Sequence, residues 1–129
     1  MAFPRVHCKS AQIAVADILT TATAPNTLVP ADVSKRYKIV DCWVRAIGGD
    51  AAGSTTLLVS AGVEVAFTIT TTNLDEGVIK RPDSTNVTAT HLGHWSVGNT
   101  PIALLRTGTV TTTATYIDVV VWYLVEGCN

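Results

Sequence analysis

Alternation between apolar and polar residues is strongest in two stretches of the chain, and the last of them gives the clearest prediction. Residues 115–125 read Thr-Tyr-Ile-Asp-Val-Val-Val-Trp-Tyr-Leu-Val. Alternate positions from Ile117 to Val125 form an apolar row, and the intervening positions form a mixed row that includes Asp118 and Trp122. β-Branched and aromatic residues suit a pleated, well-covered surface. The stretch is therefore predicted to be an interior strand with structure lying on both of its faces.

Residues 37–47 repeat this pattern and predict a second long strand. Its apolar row is Val40, Cys42, Val44 and Ala46, and its mixed row is Ile39, Asp41, Trp43 and Arg45. If the two strands share a sheet, Trp43 and Trp122 would form one aromatic patch. Two interpretations of that patch stay open. Residues 20–34 or the N-terminal segment could cover it, or it could be a contact between subunits, where Trp, Tyr and Arg are favoured.

The rest of the chain predicts shorter strands and no helix. The stretches are Gln12 to Leu19, a hairpin of 55–60 and 63–70 about Ala61-Gly62, Val78-Ile79, Asn86 to Leu92, and Pro101 to Thr107. Seven or eight strands at short, regular spacing predict an all-β fold, a two-sheet antiparallel sandwich that is most simply a jelly roll of about eight strands. An immunoglobulin-like sandwich is the second choice, weakened by the lack of a suitable Cys…Trp…Cys arrangement. Residues 1–11 are predicted to form an N-terminal arm, and residues 12–129 a single β-sandwich domain.

Composition narrows the range of partners. The 129 residues are 47% hydrophobic and only 15% charged, with 20 threonines, a net charge of −1 and a pI near 6.2. This balance gives no electrostatic reason to expect nucleic acid or an anionic membrane as a partner. No stretch resembles a secretory signal or a membrane span, so synthesis in the cytosol is expected. The low charge favours a subunit contact as the role of the tryptophans.

Three short motifs superficially resemble chemical sites, and each has a simpler structural interpretation. His91-Leu-Gly-His94 would converge on a metal only if Gly93 bent the chain, and no nearby Cys or Glu in the sequence completes a ligand set. Gly48 to Gly53 lacks the lysine of a phosphate loop and precedes a hairpin rather than a helix. Adjacent carboxylates at Asp75-Glu76 diverge on a loop. No catalytic residue, cofactor or metal is predicted, and the chain is not expected to be an enzyme.

The three cysteines, Cys8, Cys42 and Cys128, cannot all pair within one chain. Cys42 is on the apolar row of its strand, where a buried thiol behaves as a small hydrophobe. A bridge between Cys8 and Cys128 is conceivable because chain termini often lie close together. Three free thiols are the simpler expectation for a cytosolic product without a CxxC motif.

The order of several segments is similar to that of the small jelly-roll virion proteins of tailed bacteriophages. The segments that carry the resemblance are Leu28-Val-Pro30, residues 36–49 with the Ala-Ala-Gly that ends at Gly53, residues 98–108, and Asp118-Val-Val-Val-Trp-Tyr. They lie between about residue 12 and the end of the chain and are compositional rather than catalytic. Within this group the chain most resembles the decoration, or cement, proteins.

This resemblance implies a homotrimer on the outside of a phage capsid, in contact with the major capsid protein, that stabilises the shell without chemistry. The implied subunit interface comprises Trp43, Arg45, Tyr116, Trp122 and Leu124, and the implied capsid-contact arm comprises Phe3, Arg5 and Lys9. Head-fibre, neck and tail proteins share such domains and remain alternatives. A carbohydrate-binding jelly roll, which stacks exposed aromatic rings on sugars, is the competing class.

Overall fold

A computed structural model describes residues 5–22, 26–51, 56–108 and 113–127. Within these ranges, two single 3-10 turns, Val15–Asp17 and Thr71–Asn73, accompany eight strands. The strands are β1 (His7–Ala14), β2 (Thr27–Val29), β3 (Lys35–Ile47), β4 (Thr56–Ala61), β5 (Glu64–Thr70), β6 (Val87–Thr88), β7 (Ile102–Thr107) and β8 (Tyr116–Gly127). No helix in the described part of the chain has the length and apolarity needed to cross a membrane. The predicted all-β fold is confirmed.

The strands form two antiparallel sheets, a small one in the order β1-β8-β3 and a large one in the order β2-β7-β4-β5-β6. The first strand pairs with the last, the second with the seventh, and the fourth with the fifth. This nested pairing is that of a jelly roll. The free edge of β3 is lined by isolated bridges to Glu76, Lys80 and Trp95 instead of a continuous strand. The structure thus confirms the predicted two-sheet sandwich of about eight strands.

The core lies between the sheets and takes one row of side chains from each long strand. Ile117, Val119 and Val121 of β8 are buried, as predicted. Cys42, Val44 and Ala46 of β3 are buried as well, and they face residues of the large sheet such as Phe67, Ile69 and Leu104. Burial of these β-branched and aromatic side chains is the main favourable term that holds the sheets together.

A β-bulge between Ile39 and Asp41 changes the predicted rows of β3. The alternation of the sequence assigned Val40 to the core and Ile39 to the mixed face. In the structure Ile39 is buried and Val40 is only partly so. One extra residue in a strand exchanges the two faces beyond it, and such a shift leaves no mark in the pattern of residue types.

The first strand begins earlier than predicted, at His7 rather than at Gln12, and ends at Ala14. Residues 7–11, which were expected in the arm, pair with β8 from His7 opposite Tyr123 onward. No alternation marks residues 7–11, because β1 is an edge strand whose first four residues are all exposed. Its structure therefore depends on backbone pairing rather than on side-chain burial.

The segment 20–34, expected to be a long connection, contains the short strand β2 and the fully buried Asn26. The Asn26 side-chain amide donates to the carbonyl oxygens of Thr21 and Leu104, which fixes this segment against β7. The hairpin of β4 and β5 is confirmed, with its turn at Gly62 and Val63. The weak prediction over 86–92 shrinks to the two residues of β6.

Candidate interface on the outer face of the small sheet

The side of the β1-β8-β3 sheet that faces away from the large sheet, called the outer face here, carries both tryptophans predicted to form a patch. Trp122 of β8 is opposite Asp41 of β3, and Trp43 of β3 is opposite Val120 of β8. The two tryptophans are therefore diagonal neighbours on adjacent strands, within reach of each other's large side chains. The condition that the two strands share a sheet is met.

One polar row crosses the three strands in the middle of the outer face. Gln12 of β1 and Arg45 of β3 both lie opposite Asp118 of β8. The Gln12 side-chain amide donates to Asp118 Oδ1 at 3.0 Å, and Arg45 Nη2 donates to Asp118 Oδ2 at 2.7 Å. The Arg45 guanidinium also lies 5.5 Å from the centre of the Trp43 ring. Both oxygens of a partly buried carboxylate are thus satisfied within the subunit.

Two further ion pairs lie on this face, while Lys38 carries a cation that contacts the Trp95 ring rather than a carboxylate. Arg36 binds Glu126 through a 2.8 Å contact, and Arg81 lies 3.7 Å from Asp41. Because most cations of the outer face are matched by anions, the face presents aromatic and aliphatic surface between three ion pairs. Such a surface offers little steering toward a highly charged partner and fits an uncharged one.

Trp95 joins the same face and was missed by the sequence analysis, which assigned it to a loop. It forms an antiparallel bridge with Lys38, and bridged residues point to the same side of a sheet. Its ring lies 4.9 Å from Lys38 Nζ and 5.1 Å from the Arg36 guanidinium carbon. All three tryptophans of the chain therefore contribute to one face. No periodic signal could have found Trp95, because only the bridge to β3 orients it.

The structure brings the five residues of the predicted interface onto this one face. Tyr116 is exposed, and the other four are partly buried, namely Trp43, Arg45, Trp122 and Leu124. A shallow concavity of about 330 Å³ lies beside Trp43 and is lined on the β1 side by Ser10 and Gln12. The large side chains thus keep part of their surface in solvent in the isolated subunit. Their role in subunit contact stays a prediction.

The predicted capsid-contact residues are placed differently. Phe3 is outside the described residues. Arg5 is exposed just before β1, and Lys9 is exposed within β1, opposite Val121. Lys9 therefore belongs to the edge of the small sheet rather than to a free arm.

The histidine pair flagged in the sequence does converge. Gly93 adopts a φ of +81°, which bends the chain and brings the rings of His91 and His94 to 5.1 Å. The two Nδ1 atoms lie 3.6 and 3.5 Å from Oε2 of Glu64, a β5 residue far away in sequence. Within the described ranges, however, no three His, Cys, Asp or Glu side chains form a group that could hold a metal ion. His91, His94 and Glu64 instead contact one another beside an exposed turn.

The glycine-rich segment is a turn rather than a ligand loop where the structure describes it. Gly48 and Gly49 pack against residues 113–115, and the Thr115 amide donates to the Ile47 carbonyl at 2.9 Å. Of the cysteines, Cys8 is exposed and Cys42 is buried, and both are free thiols. Cys128 lies outside the described residues.

Comparison with known proteins gives a likeness of fold. No family model and no curated protein matches the chain. Among solved structures, a chain described as "Cyanophage Pam1 capsid asymmetric unit" is similar, with a TM-score of 0.56 and 20% sequence identity. The alignment covers 94% of this chain and 85% of that chain. A likeness at this identity establishes that the two share a fold over nearly their whole lengths.

Proposed function

We propose that this chain is a non-enzymatic structural protein of a tailed-phage virion, a decoration or cement protein that binds the outside of the capsid as a homotrimer and stabilises the shell. The observation that carries the proposal is the outer face, which gathers three tryptophans among ion pairs formed within the subunit. The likeness of the whole fold to a chain of a cyanophage capsid asymmetric unit adds support.

In the proposed trimer, the outer face of each copy packs against its neighbours. Partly exposed tryptophans beside ion pairs that include Arg45 resemble the centre of a protein interface, where Trp and Arg contribute most of the affinity. A typical stable contact buries about 800 Å² per partner, and the proposed trimer requires an interface of that order. The interface needs no catalytic group or bound cofactor.

The proposed role is mechanical. A trimer placed across the junction between neighbouring capsomers adds contact area to a lattice that must withstand the pressure of packaged DNA. The N-terminal residues Phe3, Arg5 and Lys9 are proposed to contact the major capsid protein. In this account the subunit is made in the host cytoplasm and joins the virion from outside.

The direct experiment mixes the purified chain with capsid shells assembled without it and measures co-sedimentation and the temperature at which the shells rupture. The proposal expects saturable binding and a higher rupture temperature. Trp122→Ala, which should be monomeric, is expected to bind weakly. Shells that neither retain the chain nor gain thermal resistance would contradict the proposal. Binding of the chain only at the vertex, neck or tail of whole particles would favour a head-fibre, neck or tail role.

One observation favours a second candidate, a carbohydrate-binding module. Three tryptophans on one exposed sheet face could stack on sugar rings, since aromatic faces pack well against apolar surfaces of a ligand. This function predicts a monomer whose tryptophan fluorescence changes on titration with oligosaccharides. The trimer predicts burial of the same rings before any sugar is added.

A further inference from the structure

The most exposed large apolar side chains of the described residues are four valines. Val33 and Val63 are each 78% exposed, Val97 is 72% exposed and Val6 is 54% exposed. Single apolar residues scattered over a surface are ordinary, but a group of them at one place is typical of an interaction site.

All four valines lie at one end of the sandwich, called the loop end here. The Asn99 amide donates to the carbonyl oxygens of Asp32 and Lys35 at 3.1 and 3.2 Å, which joins the loop of Val97 to the turn of Val33. A Cβ atom placed on Gly62 would meet the Thr100 side chain at 2.7 Å, which places the β4–β5 turn beside the same loop.

Val6 reaches the loop end because β1 starts there. His7, the next residue, lines a cleft together with Pro30, Ala31 and Asp32 from the turn of Val33. Val6 and the exposed Arg5 thus lie at the same end of the sandwich as the three exposed loop tips.

This cleft, of about 270 Å³, is built from aromatic rings. Tyr123 stacks on His7 with ring centres 5.3 Å apart and meets the edge of Tyr37 at 5.7 Å. The Tyr37 hydroxyl donates to the Pro30 carbonyl at 2.9 Å, which holds the cleft wall in place. A preformed recess that combines aromatic rings with the Asp32–Lys35 pair, beside exposed valines, can receive a protruding side chain of a partner protein.

The charges around the loop end argue against a polyanionic partner. Lys35 lies 3.5 Å from Asp32, and Glu64 lies between His91 and His94. Lys35 is paired with Asp32, and the exposed Arg5 and the partly buried Glu64 offset each other in formal charge, whereas binding to an anionic membrane or to nucleic acid depends on clustered, unpaired Lys and Arg. Valine tips with a recess and balanced charge fit an uncharged protein surface.

We propose that the loop end is the docking surface of the subunit for the protein shell, with Val33, Val63 and Val97 as its apolar contacts and the Tyr37–Tyr123 cleft as a recess for a shell side chain. This inference rests on the proposed function and deepens it. It orients the subunit, because the loop end faces the shell while the outer face of the small sheet meets neighbouring copies.

The test compares the full chain with Val33→Ser, Val63→Ser, Val97→Ser and the triple variant. The matched control is Val78→Ser, another exposed valine, in the segment along β3 rather than at the loop end. Native mass and thermal unfolding are measured first, so that loss of folding or of self-association is distinguished from loss of shell binding. Affinity for capsid shells assembled without the chain is then measured by co-sedimentation.

The triple variant is expected to lose roughly tenfold or more in shell affinity, since each lost valine contact removes buried apolar surface, while Val78→Ser binds as wild type. Wild-type affinity in the triple variant would overturn the inference and leave the proposed function intact. Failure of the wild-type chain itself to bind shells would instead remove the proposed function. Two other results would assign the loop end to another occupant and would also overturn the inference. One is binding of the wild-type chain to phosphatidylcholine–phosphatidylserine vesicles that is lost in the triple variant. The other is self-association of the wild-type chain that the triple variant abolishes.

Discussion

Arg45 Nη2 and Asp118 Oδ2 lie 2.7 Å apart at the centre of the outer face, and the Asp118 side chain is only 18% exposed. The carboxylate also accepts from Gln12, so its charge is stabilised from both neighbouring strands. Asp118→Asn is expected to lower the free energy of unfolding by about 1 kcal/mol, the usual worth of a partly buried charge-assisted contact after allowance for solvent screening. Urea unfolding of the wild type and of Asp118→Asn at the same protein concentration measures this difference in the free energy of unfolding.

Glu126→Gln is the control, since Glu126 pairs with Arg36 on the same sheet but both side chains are more exposed. Its cost is expected to stay below about 0.5 kcal/mol, as for most surface ion pairs. Equal effects of the two substitutions would mean that the central polar row has no special role in this sheet.

The turn at Gly49 gives a prediction about backbone strain. Gly49 has a φ of +138°, and a Cβ there would lie 2.6 Å from the Thr113 carbonyl oxygen. Gly49→Ala should therefore destabilise the fold by more than about 2 kcal/mol, combining backbone strain with a clash. Gly77 also has a positive φ but has nothing within 4 Å of the added Cβ, so Gly77→Ala should cost only about 1 kcal/mol. Thermal unfolding measures both variants. A larger loss of stability in Gly77→Ala than in Gly49→Ala would contradict the described contact between this turn and residues 113–115.

Because of Cys42, the free energy of unfolding is expected to fall as the pH rises into the alkaline range. Burial, with a smaller effect of the nearby Asp41 carboxylate, raises the pKa of Cys42 from 9.0 to about 12. Between these values the unfolded chain releases a proton that the folded chain keeps, so the stabilising effect is complete below pH 9 and declines as pH rises toward 12, with a slope of at most about 1.4 kcal/mol per pH unit.

The measurement is urea unfolding of wild type and Cys42→Ala from pH 8 to pH 10.5. Burial also raises the pKa of Tyr37 and of Tyr123, so both proteins should lose stability in this range. The wild type is expected to lose more. Parallel pH profiles would show that the Cys42 thiol is not protected in the folded state.

Cys8 reports on the outer face, because it is exposed in the subunit and lies opposite Trp122. If Cys8 is buried between copies, iodoacetamide should alkylate it slowly in the wild type and at least tenfold faster in Trp122→Ala. Peptide mapping of the labelled protein measures the two rates. The buried Cys42 is the internal control and should stay unlabelled in both. Equal rates at Cys8 would show that this edge of the face is open to solvent in the assembly.

Much of the fold could be predicted from the sequence, for a physical reason. In β8, Val119 and Val121 face a core while Asp118 and Val120 do not, and burial on one face of a pleat leaves a period of two. β1 left no such signal, because its first half is held by hydrogen bonds to β8 rather than by burial. The bulge after Ile39 and the short β2 were equally invisible.

The candidate site was likewise predictable where its residues belong to strongly alternating strands, and not elsewhere. Trp43 and Trp122 belong to strong strands, so their shared face followed from the alternation once the two strands paired. Trp95 and Glu64 reach their neighbours only through long-range contacts, with Lys38 and with the two histidines. A single sequence carries no record of such contacts, and the valines of the loop end likewise come together only in the folded chain.

The central claim, that the outer face of the small sheet is buried between copies, is tested most directly by the mass of the chain in solution. Sedimentation equilibrium of the wild type should give three times the 13.6 kDa chain mass, about 41 kDa. Trp122→Ala should give monomers with unchanged strand content by circular dichroism, and Val33→Ser, at the loop end, should remain a trimer. A wild-type chain that stays at 13.6 kDa at micromolar concentration would contradict the claim, as would a trimer that Trp122→Ala leaves intact.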